Sequence, residues 1–93
     1  MALLTLYERS RDWPAAIETA TRLEATGAGS FAQRIAHYHC ELAQEAEARG
    51  DTDAAEQALT RARQAAPHSA RPIVMIGDRL ARQGRHDEAL AAW

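Results

Sequence analysis

The residues best suited to chemistry stand in one short segment that holds His37, His39, Cys40 and Glu41. Imidazole, thiolate and carboxylate groups bind transition metals, and a Cys–His pair can supply a nucleophile and its base. On a helix, His37, Cys40 and Glu41 share one face and His39 points elsewhere. No second ligand group stands at zinc-site spacing, and no activating partner or oxyanion site is evident. We therefore expect no metal site and no catalytic residue here, but ordinary packing or a groove lining.

Other segments that invite an enzymatic interpretation are better explained as helix ends. The stretch from Gly27 to Gly29 lacks the preceding strand and the third glycine of a dinucleotide-binding motif. Ser10, Ser30 and Ser69 each stand near a predicted helix boundary, and none occurs in a Gly-x-Ser-x-Gly elbow. We expect a protein that is not an enzyme.

The composition predicts closely packed helices. Among 93 residues there are 22 alanines, and valine and isoleucine together number five.

The net charge of −2 and the pI of about 6.0 argue against nucleic acid as a partner. One cysteine, Cys40, allows no disulfide framework and favours a reducing compartment. No apolar run approaches the length of a membrane span and no signal peptide is evident, so we expect no membrane contact by this segment.

An internal repeat organises the chain. Gly50 and Gly84 are 34 residues apart, and the residues around them align. An earlier copy starts at Arg11, offset by 39 residues, and the loop around Gly27 accommodates the extra five. This frame predicts a partial unit at 1–29, a full unit at 30–69 and a truncated unit at 70–93, which together form one segment excised from a longer array.

The first three helices follow from local signals. The leucines before Tyr7 indicate the end of a first helix, and Asp12 or Trp13 caps a second with Pro14 in its first turn. Gly27 or Gly29 closes that second helix. Ser30 and Gln33 form a capping-box pattern for the third, which extends to Gly50.

Three further helices complete the predicted set of six. The fourth starts at Asp51 or Asp53 and ends before Pro67. The fifth is capped by Ser69, tolerates Pro72 in its first turn and ends at Gly84. The sixth begins near His86-Asp87 and is incomplete at Trp93.

This 34-residue pattern resembles the tetratricopeptide repeat, a pair of antiparallel helices per unit. The resemblance implies an all-α, right-handed superhelical solenoid of about six helices, in which small residues let helices approach closely and large ones fill the spaces. Ala46 departs from the pattern, since a tyrosine is common there. The positions that define the repeat are Leu42, Ala43, Gly50, Ala55, Leu59, Ala62, Pro67, Ile76, Gly77, Leu80, Gly84, Ala89 and Trp93.

A more specific resemblance covers nearly the whole chain. The string from Ile35 to Ala43 is similar to a segment of the lipopolysaccharide assembly protein B family (LapB, also called YciM), as are the residues from Asp12 to Ile17 and those from Ser69 to Gly77. The resemblance implies a central piece of a cytoplasmic repeat array that is anchored to the bacterial inner membrane. It also implies partners, the deacetylase LpxC and the membrane protease FtsH, which such a regulator of lipopolysaccharide synthesis brings together. The resemblance further implies that the zinc site lies in a C-terminal rubredoxin-like domain, so we expect no cofactor in this segment.

The repeat resemblance also implies a binding groove lined by the first helix of each unit. Transferred by frame, its residues are His37, Cys40, Gln44 and Glu47 in the middle unit and Arg71, Val74, Asp78 and Arg82 in the next. We favour Arg71 and Arg82 as contacts, because a guanidinium group can clamp a carboxylate. The competing interpretation of the same set is an ordinary solvated face.

Two other functions remain open from the sequence, namely a substrate-binding arm of a glycosyltransferase and a generic scaffold for protein assembly. We also expect self-association of the segment through its cut ends, where Leu3, Leu6 and Trp93 would lack their covering helices.

Overall fold

A computed structural model describes residues 2–27 and 29–82, and these form five α-helices. The helices are α1 (Ala2–Ser10), α2 (Trp13–Ala25), α3 (Ala32–Ala48), α4 (Thr52–Ala65) and α5 (Ala70–Arg82). No strand occurs within the described residues. The predicted all-α class is therefore confirmed. The predicted sixth helix, with Gly84, Ala89 and Trp93, lies outside the described residues.

The turns between α1 and α2 and between α3 and α4 have the same geometry. Arg11 (φ 57°) and Gly50 (φ 77°) both adopt the left-handed conformation that follows a helix. The next amide in each turn reaches back five residues, from Asp12 to the carbonyl of Tyr7 at 3.0 Å and from Asp51 to Ala46 at 2.8 Å. The two turns are related by the predicted offset of 39 residues, so the degenerate first copy keeps the backbone of the second.

The same two turns supply the caps of α2 and α4. The carboxylate of Asp12 accepts from the Ala15 amide at 3.3 Å, and that of Asp51 accepts from the Ala54 amide at 3.1 Å. Both satisfy an amide that has no partner inside the helix, as predicted. Pro14 and Pro72 lie in the first turns of α2 and α5, also as predicted.

The capping box predicted for α3 is wrong. The residue that precedes the helix is Phe31, which makes no side-chain cap, and Ser30 lies one position too early. Phe31 is buried in the apolar cluster of Leu4, Trp13 and Tyr38, so its packing sets where α3 begins. Burial of an aromatic ring outweighs the single hydrogen bond that a serine cap would contribute.

Helix α3 occupies the centre of the fold and packs against α2, α4 and α5. Its small residues allow close approach, since Ala36 and Cys40 meet Ala62 of α4 and Ala66 at the end of that helix. Ala43 likewise meets Leu59. Large residues concentrate on the other side of α3, where Tyr38 is fully buried. Alanine thus forms the α3–α4 interface, and aromatic rings join α3 to α1 and α2.

The residues that define the repeat take two kinds of position. Ala43, Ala55, Leu59, Ala62 and Gly77 are buried, and Leu42, Ile76 and Leu80 are partly buried. Gly50 and Pro67 lie in exposed connections and mark helix ends. The helix pairs α1–α2 and α3–α4 fall inside the predicted units 1–29 and 30–69, and α5 falls inside the third.

None of the helices in the described part of the chain is long and apolar enough to cross a membrane.

Candidate protein-binding face

Helices α3 and α5 lie side by side and present most of the predicted groove residues on what we call the α3–α5 face. Its landmarks are His37 and Gln44 on α3 and Arg71 and Asp78 on α5. His37 and Arg71 occupy the same repeat position, 34 residues apart, and Nη1 of Arg71 lies 2.7 Å from Nδ1 of His37. A guanidinium group can only donate, so Nδ1 of His37 accepts this hydrogen bond. Equivalent residues of consecutive units therefore touch along this face.

Glu41 connects three parts of the chain. Nη2 of Arg71 on α5 donates to its Oε1 at 3.0 Å, and Nη2 of Arg11 in the α1–α2 turn lies 3.5 Å from its Oε2. The Glu41 side chain is only 15% exposed, so water screens these pairs less than it screens pairs on an open surface. One carboxylate thus links the first, second and third predicted units.

Trp13 extends this network toward α2. Its Nε1 donates to Oε2 of Glu45 at 2.7 Å, and the Arg11 guanidinium lies 5.7 Å from the centre of the indole ring. The ring stacks on Tyr38 at 5.8 Å between centroids and meets the edge of His37 at 6.1 Å. Trp13 is therefore a packing residue whose one polar atom is satisfied.

Tyr38 is tied to α1 in a similar way. Its hydroxyl donates to Oε2 of Glu8 at 2.6 Å, and Arg34 lies 3.8 Å from the same carboxylate oxygen. Burial and the neighbouring Glu8 carboxylate raise the pKa of Tyr38 to about 12. The phenol remains a hydrogen-bond donor throughout the neutral range.

A second acidic residue of α3 receives two arginines of α5. Glu47 pairs with Arg79 and accepts from Nη2 of Arg82 at 3.2 and 3.3 Å. Arg79 is only 8% exposed and also lies 3.5 Å from Glu56 of α4. Burying a guanidinium group requires such pairing, because an unpaired charge would be expensive to desolvate. Arg79 therefore ties α5 to both helices of the middle unit.

A shallow depression opens between α3 and α5 beyond these pairs. Gln44, Glu47, Asp78 and Arg82 border it, and its floor contains Leu59, Met75 and Ala81. Within the described residues, the side chains of Gln44 and Asp78 have no hydrogen-bond or ion-pair partner. Val74, one turn before Asp78, is 49% exposed. An apolar floor with free polar groups at the rim is the usual make-up of a protein-binding patch.

The chain is similar in sequence to proteins of known name. Over 88 residues the chain is 34% identical to "Lipopolysaccharide assembly protein B" of Escherichia coli strain K12, and the match covers 95% of the chain. The chain matches lipopolysaccharide assembly protein B. The same identity and coverage hold for the proteins of that name from the O6:H1 and O157:H7 strains. The resemblance stated from the sequence is confirmed.

The match covers only part of each relative. The chain spans 23% of the length of these relatives. No protein-family model matches it. The name lipopolysaccharide assembly protein B is that of an assembly protein. Because no family model matches, identification of the units as tetratricopeptide repeats stays a prediction. The 34-residue period and the paired helices support it.

One predicted groove residue needs correction. Cys40 is fully buried between Ala36, Ala62 and Ala66, so its prediction as a groove residue is wrong. Burial, opposed in part by Arg71, raises the pKa of the Cys40 thiol. The guanidinium groups of Arg71 and Arg82 are present on the face, but each already holds a carboxylate of this chain.

The cluster of His37, Cys40 and Glu41 does not form a metal site. The Cys40 sulfur faces the α4 interface, and the His37 ring and the Glu41 carboxylate are both engaged by Arg71. Across residues 2–27 and 29–82, no three His, Cys, Asp or Glu side chains are grouped as metal ligands would be.

The arginine–glutamate pairs were missed in the sequence, although a signal for them exists. Equivalent positions of neighbouring units differ by 34 residues, and one helical turn fewer gives a separation of about 30. Glu41 and Arg71 are 30 residues apart, and Glu47 and Arg79 are 32 apart. Opposite charges separated by one repeat minus up to one helical turn would have indicated both pairs.

Proposed function

We propose that this chain is a non-catalytic protein-interaction segment of a regulator of lipopolysaccharide synthesis, one that brings the LpxC deacetylase to the FtsH protease. The observation that carries the proposal is the 34% identity over 95% of the chain to lipopolysaccharide assembly protein B. The roles of LpxC and FtsH come from the family resemblance. We place the protein in the cytoplasm. The family resemblance implies that the complete protein is anchored to the cytoplasmic face of the bacterial inner membrane.

The geometry supports an interaction role in two ways. First, ion pairs in which at least one side chain is mostly buried join α3 to α5 and to the α1–α2 turn, which restrains the relative positions of the three units. A rigid face loses less conformational entropy when a partner binds. Second, the depression bordered by Gln44 and Asp78 offers free polar groups beside an apolar floor.

The test uses the complete natural protein that contains these residues. We expect tagged protein to co-purify both LpxC and FtsH from cells, and expect LpxC to persist longer after synthesis is stopped when the gene is deleted. A complete, folded protein that retains neither partner would contradict the proposal. A helical content that matches the wild type, measured by circular dichroism, is the folding control for every variant.

A further inference from the structure

A second crevice lies between α3 and α4, and its lining differs in charge from that of the α3–α5 face. Four hydrogen-bond donors border it: His39 and Arg49 from α3 and its C-cap, and Gln57 and Arg61 from α4. Leu42 and Ala58 contribute apolar surface beneath them. No carboxylate is among the described residues that line this crevice, although the chain as a whole carries a net charge of −2.

The two arginines of this α3–α4 crevice are available to a ligand. Arg49 and Arg61 are exposed, and neither forms an ion pair with any described residue. Arg61 also borders a neighbouring depression that contains Asp53 and Glu56, but neither carboxylate comes within 4.0 Å of it. In contrast, Arg71, Arg79 and Arg82 of the α3–α5 face are all neutralised by glutamates.

His39 adds a neutral donor to this basic site. Burial, and then the positive charge of Arg61, lower the pKa of His39, so the ring is neutral at physiological pH. Its Nδ1 is buried and has no partner within the described part of the chain. Leaving a lone pair unpaired is more common in proteins than leaving an N–H unpaired, which favours the tautomer with the proton on Nε2. Nε2 is then the ring atom that can donate into the crevice.

We propose that the α3–α4 crevice binds the carboxylate of an acidic side chain on a partner protein, with Arg49 and Arg61 as cationic contacts and His39 and Gln57 as neutral donors. The guanidinium groups supply charge-assisted hydrogen bonds, and the apolar surface of Leu42 and Ala58 accepts a hydrophobic residue next to the acid. This site is separate from the α3–α5 face and does not depend on the function proposed above.

The test is an NMR titration of the 93-residue chain with three probes: the peptide acetyl-Leu-Glu-Leu-amide, its glutamine analogue and inorganic phosphate. We expect the glutamate peptide to shift the amide resonances of Arg49, Gln57 and Arg61, and the glutamine analogue to leave them in place. Arg61→Ala is expected to weaken binding about fivefold, the range of a single solvent-accessible ion pair. Arg63→Ala, which removes an exposed arginine two residues away on α4, should leave the affinity unchanged.

Three results would overturn the proposal. One is that none of the probes shifts these resonances. Another is that phosphate binds but the glutamate peptide does not, because the site would then select phosphate and not an acidic side chain. The last is an equal loss of affinity in Arg61→Ala and Arg63→Ala, because general positive charge would then explain the binding. Failure of LpxC or FtsH to co-purify with the complete protein would leave each of these readouts unaffected.

Discussion

Arg71 and Glu41 form the contact that joins the second unit to the third, with Nη2 of Arg71 3.0 Å from Oε1 of Glu41. The other oxygen of the same carboxylate faces Arg11 of the first unit at 3.5 Å. Repeat arrays are stabilised by such contacts between neighbours, since each unit buries too little surface to be stable alone. A single side chain that touches both neighbours therefore has more influence on the array than an ordinary surface charge.

Glu41→Gln is expected to lower the free energy of unfolding by about 1–2 kcal/mol, because two guanidinium groups lose their charged acceptor in a half-buried site. Urea unfolding followed by circular dichroism measures this change. Glu18→Gln is the matched control, since Glu18 pairs with Arg22 on an exposed helix surface, and its expected effect is below about 0.5 kcal/mol. Equal effects of the two substitutions would show that Glu41 has no bridging role.

Gly50→Ala is expected to destabilise the chain by about 1–2 kcal/mol, because Gly50 adopts φ 77° and a side chain is strained in that conformation. A Cβ at this position would meet no atom within 4 Å, so backbone strain and not a clash is the cause. Thermal unfolding provides the measurement. Arg49→Ala, at the preceding residue with φ −84°, should change stability by less than about 0.5 kcal/mol.

Cys40 is expected to be protected from alkylation in the folded chain. Its side chain is fully buried and burial raises its pKa, so both access and thiolate formation are suppressed. Iodoacetamide at about pH 8 should modify Cys40 about a hundredfold more slowly in the native chain than in denaturant. The comparison variant carries Cys40→Ala and Gln44→Cys, which moves the thiol to an exposed position of α3, and it should react at nearly the denatured rate. Equal native rates would contradict the burial of Cys40.

Acid should lower the free energy of unfolding, and part of this loss should come from His39. Its folded pKa lies below the ordinary value of 6.5, so the unfolded chain takes up the proton first. The stabilisation from a neutral His39 is therefore present above pH 6.5 and is lost as the pH falls through the folded pKa. Urea unfolding at a series of pH values should show a smaller acid loss in His39→Gln than in the wild type. His68→Gln, which alters an exposed histidine, should keep the wild-type profile.

Local features of the fold followed from the sequence because they depend on neighbours along the chain. Asp12 and Asp51 cap helices through amides three residues away, and Gly50 ends α3 by its own backbone preference. The start of α3 did not follow, because the burial of Phe31 against Trp13 depends on the packed structure. Sequence pattern alone does not report such contacts.

The candidate site was predicted less completely for the same reason. The repeat frame placed Gln44 and Asp78 on one face, and both border the depression there. It did not show that Arg71 and Arg82 are occupied by glutamates of the same chain, since those pairs span 30 and 35 residues. Cys40 was assigned to the groove by position, whereas the close approach of Ala62 and Ala66 encloses it.

A charge reversal in the complete protein tests most directly whether the α3–α5 face binds LpxC, as we propose. Asp78→Arg places a cation at the rim of the depression, and Glu24→Arg makes the same change at an exposed residue of α2. We expect Asp78→Arg to reduce co-purification of LpxC about tenfold and Glu24→Arg to leave it at the wild-type level. Unchanged recovery of LpxC with folded Asp78→Arg protein would contradict the assignment of this face.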